Sequence, residues 1–434
     1  DGDMDFLAVG EINDALPFMD GPATIAAGEV AMLLEPADQF ELFSAVRRPV
    51  SDVQHAIGLH VSRQIVDGGT IQIGIGAIGD AIANALIQRE KGQLDDIWDA
   101  APFPLSGKGT TPFDTGLYAV TEMLVGGLLA LFDAGIVRRE VDGAAIHAGF
   151  FVEARDMYQR LRALPPDKRS RIAMMPVSYT NALYGDEDAK RAARTDARFM
   201  NAAMQVSLLG DAMSDAANPG QVVSGVGGQV DFFLQALALK DGRAILTLPA
   251  TRKSGGKVTS NIVWQLPLTT VPRHMRDIVV TEYGTADLRG QTDEEVIKRL
   301  LAISDSRFQD GLLAKAKDAG KIGCDYALPD PHRQNSPDRL QEWLKPYRKQ
   351  LLPDFPLGTD FNQIERVLLP ALVAISEAAA SKPALAGLLW ASLAATAHPQ
   401  EIAAMERMGF AGKSSLFEPL QSRALRGALR KLFH

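Results

Sequence analysis

At 434 residues the chain is too long for one ordinary compact domain, and its length predicts two or three domains with ample core. Lys and Arg total 45 against 53 for Asp and Glu, a net charge of -8, so no field strong enough to gather nucleic acid or anionic lipid is implied. The single cysteine, Cys324, rules out an intramolecular disulfide framework or a multi-cysteine metal site and fits a reducing, cytoplasmic compartment.

Residues 1–50 contain two strand-like runs, MDFLAVGEIN and ATIAAGEVAMLLE, which read as the tail of a preceding α/β domain followed by a linker. The chain opens without Met and without a charged-then-apolar leader, so a processed chain or a fragment is expected. From Asp67 to Leu288 a short apolar run, a turn and an amphipathic helix recur, the signature of an α/β domain over 51–310 with an open, mostly parallel sheet. TIQI leads into a helix over Asp80–Glu90 with Ile78, Ile82 and Leu86 on one face, and LYAV leads into a helix over Met123–Ala134. Further strand candidates are AAIHAGF, RIAMMPV, QVVSG, AILTLP and DIVVTEYG, punctuated by Gly and Pro. His55 and His60 are five apart and share no helix face, so no metal site is expected.

Helical patterns take over after Asp310, broken by the polar stretch CDYALPDPHRQNSPDR, which reads as the boundary of a helical appendage placed over 311–434. Within it Val367–Ala397 is the most apolar region. Glu377, Lys382 and Pro383 interrupt it, which predicts a helical hairpin and not a bilayer span. The closing run SRALRGALRKLFH predicts a solvated helix with Leu425, Leu429 and Leu432 turned inward.

Three strand-turn-helix junctions carry the chemistry. In TIQIGIGAIGD, Gly74, Gly76 and Gly79 match a dinucleotide fingerprint, yet the acids that follow, Asp95, Asp96 and Asp99, have no apolar strand to carry them to a ribose. A phosphate-bearing ligand at the helix N-terminus survives that test; an NAD-dependent dehydrogenase is the weaker alternative. In LYAVTEM the strand is expected to end at Thr121, which would cap the next helix and place Glu122 in its first turn. In QVVSGVGGQVDFF, Gly225, Gly227 and Gly228 expose backbone N–H groups ahead of a helix beginning near Gln229. Three such junctions on one sheet converge at the carboxyl edge of its strands, where open α/β folds bind ligands.

Together TIQIGIGAIGDAIANAL, VTEMLVGGLLALFDAGIV, FMNAAMQVSLLGDAMSD, VVSGVGGQVDFF and VVTEYGTADLRGQTDEEVIKRLLAISDSRF resemble the acetyl-CoA hydrolase/transferase family of class I CoA-transferases, which includes 4-hydroxybutyrate CoA-transferase. The resemblance runs from Asp5 to Phe308, and it implies that the front of the family's N-terminal half is absent from this sequence. It implies that Glu122 is the nucleophile and that Gly74, Ile75, Gly76, Ala77 and Ile78 contact CoA. It further implies that Gly227 and Gly228 lie beside the reacting thioester, that Asn201 is an active-site amide, and that Lys253 meets the pantetheine or phosphate end. Family members commonly carry a histidine where this chain has Tyr118-Ala119-Val120, and proline where Gly79 stands.

The implied activity is an acyl-CoA:carboxylate CoA-transferase working through a glutamyl-CoA thioester, with Gly228 N–H and Asn201 as oxyanion donors. CoA is then a substrate and no cofactor is permanently bound. The partners are an acyl-CoA and a small carboxylic acid, with no nucleic acid or membrane, and a homo-oligomer is expected. Water attacking the same intermediates would make the site an acyl-CoA hydrolase. A non-catalytic CoA-binding subunit is the alternative from a different class. Glu282, in TEYG, is expected to support packing around the site.

Overall fold

Eight strands form the central sheet: β1 (Thr70–Ile73), β2 (Tyr118–Leu124), β3 (Ile146–Phe151), β4 (Ile172–Met174), β5 (Arg198–Ala202), β6 (Arg243–Thr247), β7 (Ile278–Thr281) and β8 (Gly284–Asp287). The computed structural model describes residues 7–40, 42–217, 220–254, 256–379, 381–393, 398–410 and 419–433. The strand order is β8-β7-β6-β5-β1-β2-β3-β4, parallel except for β8, which runs antiparallel to β7. This is the open, mostly parallel α/β sheet that the sequence pattern implies.

Alternate residues of each strand enter two cores, which is why the strands read as near-continuous apolar runs. Ile71, Ala119, Ile146 and Ala148 pack with helices α2 (Ala77–Glu90), α3 (Gly126–Asp133) and α4 (Arg155–Ala163) through Ile82, Leu86, Leu128, Leu131 and Leu161. On the other side Tyr118, Val120 and Phe199 meet Phe232, Phe233 and Ala236 of α7 (Gln229–Ala238). From β1 the chain winds out to β4. It then returns through α5 (Val177–Asn181) and α6 (Glu187–Ala193) to β5 on the other flank of β1. Strand order therefore reverses between β1 and β5, and the crevice outside their carboxyl ends is where such sheets bind ligands.

One strand goes beyond the sequence pattern and two local readings are corrected. β5 is a central strand although RFMNA lacks the β-branched run that signals one; burial between β1 and β6 overrides weak propensity. QVVSG contributes only Gln221–Val222, paired with Ala216–Ala217 outside the main sheet. The helix expected from Met123 begins at Gly126, because Met123 and Leu124 stay in β2, paired with Phe150 and Phe151 of β3. Near the start of the chain, Val9–Glu11 and Met32–Leu34 pair in parallel as a separate two-stranded sheet.

Contacts divide the chain into two units, residues 1–251 with 260–358, and residues 252–259 with 359–434. Helices α8 (Asp293–Ala302), α9 (Ser306–Asp318) and α10 (Pro337–Leu344) belong to the sheet unit. Leu300, Leu312 and Ala316 enter the α7-side core, and Trp343 and Leu344 pack with Leu59 and Tyr283. The helical unit thus starts later than residue 311. Its helices α11 (Gln363–Ala379) and α12 (Lys382–Ala391) are the expected hairpin, joined by α13 (Pro399–Arg407) and α14 (Leu420–Phe433). On α14, Leu425 and Leu429 are buried but Leu432 is 45% exposed. Arg426 and Arg430 are also buried, against the fully enclosed Glu401, so the basic face is not simply solvated.

Helix α1 (Asp52–Ser62) starts at a capping box between Ser51 and Gln54 and lies on α2. Gly58 permits the approach: a Cβ there would stand 2.6 Å from the Ala81 carbonyl oxygen. Gly58→Ala must push the two helices apart, with an expected loss of about 1–3 kcal/mol. Urea denaturation should show it as a lower midpoint at unchanged slope.

Candidate active site

Glu122 sits within β2, between Thr121, paired with Ala148, and Met123, paired with Phe150. Thr121 does not cap a helix; it is buried, and its hydroxyl donates to the Met123 carbonyl at 2.9 Å. Because strand residues alternate, Glu122 shares the face of Tyr118 and Val120, which α7 covers. There Asn181, the last residue of α5, donates Nδ2 to Glu122 Oε2 at 2.7 Å and to Asp231 Oδ2 at 3.3 Å. The Thr180 hydroxyl donates to Asn181 Oδ1 at 2.9 Å. Two carboxylates on one end of the amide and a hydroxyl on the other fix its orientation, since a flip would set oxygen against both anions.

Glycines clear the space around the glutamate. A Cβ on Gly228, the N-cap of α7, would lie 2.0 Å from Glu122 Oε2 and 2.4 Å from Asn181 Nδ2. On β3, a Cβ on Gly149 would lie 2.8 Å from the Glu122 carbonyl oxygen. Gly227 has φ +58, a left-handed conformation that disfavours a side chain. The positive end of α7 thereby approaches the carboxylate without an intervening side chain.

The loop Gly74, Ile75, Gly76 leaves β1 at the same carboxyl edge, one strand from Glu122, and Ala77 and Ile78 open α2. Gly74 N–H donates to the Met200 carbonyl at 3.2 Å, tying the loop to β5, and Gly76 has φ +109. Glu122, Gly76 and Gly228 therefore lie on one sheet edge. Asn201 is not brought to Glu122: its Nδ2 donates to Gln72 Oε1 at 3.3 Å, and Asn181 occupies the place at the carboxylate. Asn181 carries no sequence signal, because SYTN forms a single helical turn with no period to read. Lys253 lies in the helical unit, ion-paired to Glu377 at 3.2 Å. Asp95 and Asp96 open a short helix, Asp95–Asp99, so no strand presents a ribose acid. Among the described residues no His, Cys, Asp and Glu group is placed to hold a metal ion, and no helix is long and apolar enough to cross a membrane.

Buried ionisable groups also lie elsewhere in the sheet unit. Burial pulls His147 down to about 4, and the neutral ring pairs with the Tyr118 hydroxyl at 2.8 Å. Glu282, pushed up to about 7 by burial, accepts the Ala250 N–H at 2.8 Å, in keeping with a packing role. In the first turn of α2, burial pushes Asp80 up to about 7, Glu153 adds to the rise and Arg47 opposes it.

Two outcomes follow. Gly228→Ala must displace Glu122 or Asn181, so a folded variant should lose about 100-fold or more in turnover, read against an unchanged melting temperature. Asp80 keeps a proton in the native state that the unfolded chain releases near its ordinary value of 3.8. Its contribution to stability therefore falls as pH rises from about 4 to about 7 and stays low above. Asp80→Asn should gain on wild type across that window in melting temperature measured against pH.

An open sheet whose strand order reverses beside a glutamate, a helix N-terminus and a glycine loop defines an α/β protein with these groups gathered at one carboxyl edge. Residues 154–316 match the acetyl-CoA hydrolase/transferase C-terminal domain, so the family resemblance seen in the sequence holds. The chain is 27% identical over 320 residues to 4-hydroxybutyrate coenzyme A transferase of Clostridium kluyveri, covering 72% of this chain and 65% of the relative. It is 27% identical over 319 residues to succinyl-CoA:cyclohexane-1-carboxylate CoA transferase of Geobacter metallireducens, covering 72% and 64%. The solved structure of RipA from Yersinia pestis is similar at TM-score 0.59 and 25% identity, covering 72% of this chain and 63% of that one. A 4-hydroxybutyrate CoA-transferase structure from Porphyromonas gingivalis matches at TM-score 0.54 and 25% identity, covering 72% and 66%. The chain thus spans less than two thirds of the length of these two curated relatives.

Proposed function

We propose that the chain acts in acyl-CoA:carboxylate CoA transfer, with Glu122 as the covalent nucleophile. The observation that carries this reading is the Glu122 carboxylate held through one oxygen by Asn181 while Gly228 brings the N-terminus of α7 against it. Oε1, the oxygen not held by Asn181, attacks the acyl-CoA carbonyl and the C–S bond breaks, giving a mixed anhydride and CoA thiolate. The thiolate attacks the glutamyl carbonyl, the anhydride C–O bond breaks, and the first carboxylic acid leaves. Negative charge in that step grows on Oε2, the atom already facing the Asn181 amide. The acceptor carboxylate then attacks the glutamyl-CoA thioester, and the same steps in reverse return Glu122.

A carboxylate nucleophile suits this chemistry because each intermediate stays activated, whereas a serine ester would lose much of the thioester's free energy. The loop from Gly74 to Ile78, with its φ > 0 turn and helix N-terminus, suits the CoA phosphates. Gly227 and Gly228 lie at the reacting thioester. Asn201, tied to Gln72, braces β5 against β1 at the crevice. Hydrolysis is the neighbouring reading, within the same family description, and differs only in whether water reaches the glutamyl carbonyl.

With an acyl-CoA and no acceptor, the protein should accumulate a CoA-sized mass on the peptide containing Glu122. Glu122→Gln should fold, bind CoA and form no adduct, since an amide cannot open the anhydride path. An adduct elsewhere, or near-normal transfer by the Gln variant, would overturn the assignment. Adding acetate or succinate separates transfer, which yields a new acyl-CoA, from hydrolysis, which yields free CoA.

A further inference from the structure

Asn181 reaches Glu122 from a helix of only five residues. So short a helix leaves its last carbonyls without intrahelical partners. Two long polar side chains from elsewhere meet them, and a third meets the carbonyls just beyond. Arg194, just beyond α6, donates Nη2 to the Tyr179 carbonyl at 2.5 Å and Nη1 to the Ala182 carbonyl at 3.4 Å. Gln235 of α7 donates Nε2 to the Thr180 carbonyl at 3.2 Å, and its Oε1 accepts from Arg194 Nη1. Lys190 Nζ donates to the Ala182 carbonyl at 3.0 Å and the Tyr184 carbonyl at 2.7 Å.

These side chains are expensive to place where they are. Arg194, Gln235 and Lys190 are 1%, 3% and 5% exposed. Among the described residues no carboxylate pairs with Arg194, whose guanidinium meets only neutral oxygens and the Tyr179 ring at 5.5 Å. A buried cation without an anion is costly, and here the negative end of α5 offsets it. Simple packing would be served better by an apolar residue of the same size.

We propose that Arg194 and Gln235 are positioning residues that fix the carboxyl end of α5 and so set how the Asn181 amide meets Glu122. Gln235 stands one turn after Asp231 on α7, so one helix face holds Asn181 twice: Asp231 takes its side chain and Gln235 takes the backbone beside it. Arg194 locks Gln235 in that orientation and clamps Tyr179 and Ala182 on either side. Neither residue touches the reacting atoms.

The proposal rests on the reading of Glu122 as nucleophile only where turnover is measured. The test therefore pairs turnover with a readout that needs no substrate: carbodiimide-driven coupling of an amine to Glu122, followed by peptide mass. Asn181→Ala frees the carboxylate and should speed its labelling about 3- to 10-fold, the worth of one hydrogen bond. Gln235→Glu, which keeps the shape and the Arg194 contact but loses the donor to Thr180, should do the same, as should Arg194→Met. Neither should add to Asn181→Ala in the double variants, and surface carboxylates should label at the wild-type rate. In turnover, kcat should fall by a similar factor with the acyl-CoA KM unchanged, again without additivity.

Unchanged Glu122 labelling in a folded Gln235→Glu protein, or full additivity with Asn181→Ala, overturns the proposal; if Arg194→Met does not fold, Gln235→Glu alone decides. Labelling that behaves as expected in a protein that turns over no acyl-CoA upholds the positioning role and sinks the nucleophile reading instead.

Discussion

The site depends on one amide placed between two carboxylates. Glu122 and Asp231 come from different elements and would repel each other in a partly dry setting, and the two N–H bonds of the Asn181 Nδ2 group give each an opposing donor. That requirement explains much of what surrounds it. Thr180 must take the other end of the amide, α5 must end where it does, and position 228 must be glycine because a Cβ there would occupy the volume of the carboxylate. The helix dipole of α7 contributes only because Gly228 lets the helix end come close.

Most of the architecture was legible in the sequence because it follows from pattern. Alternating buried strands such as TIQI and AAIHAGF, and the helices between them, follow from burial on both faces of a parallel sheet. Glu122 and the two glycine loops were legible as junctions, and the family motifs led to the same residues. The errors share a cause: they concern contacts made by partners distant in sequence. β5 is a strand because β1 and β6 bracket it, and β2 runs through Glu122 because β3 continues alongside. Nothing in RFMNA or VTEM encodes those neighbours.

The amide shows the same limit more sharply. Neither SYTN nor RFMNA carries a pattern that marks its asparagine, and the motif resemblance favours Asn201. In the fold Asn201 lies against Gln72 and Asn181 against Glu122. The separation of 59 residues between Glu122 and the amide that meets it has no periodic trace in the sequence. The buried Arg194, whose natural reading is a surface arginine in a run of Lys and Arg, becomes informative only once its partners are seen to be carbonyls of α5.

The segment that carries Asn181 is also the return crossover by which the sheet changes direction, from β4 back across to β5. Glu122 acquires its strand neighbours β1 and β3 from the half of the sheet that winds outward, whereas the amide and the helix end arrive with the half that winds back. Glu122, its amide and the helix end meet only where both halves of the sheet are in place, so an intact site reports that the topological reversal is complete.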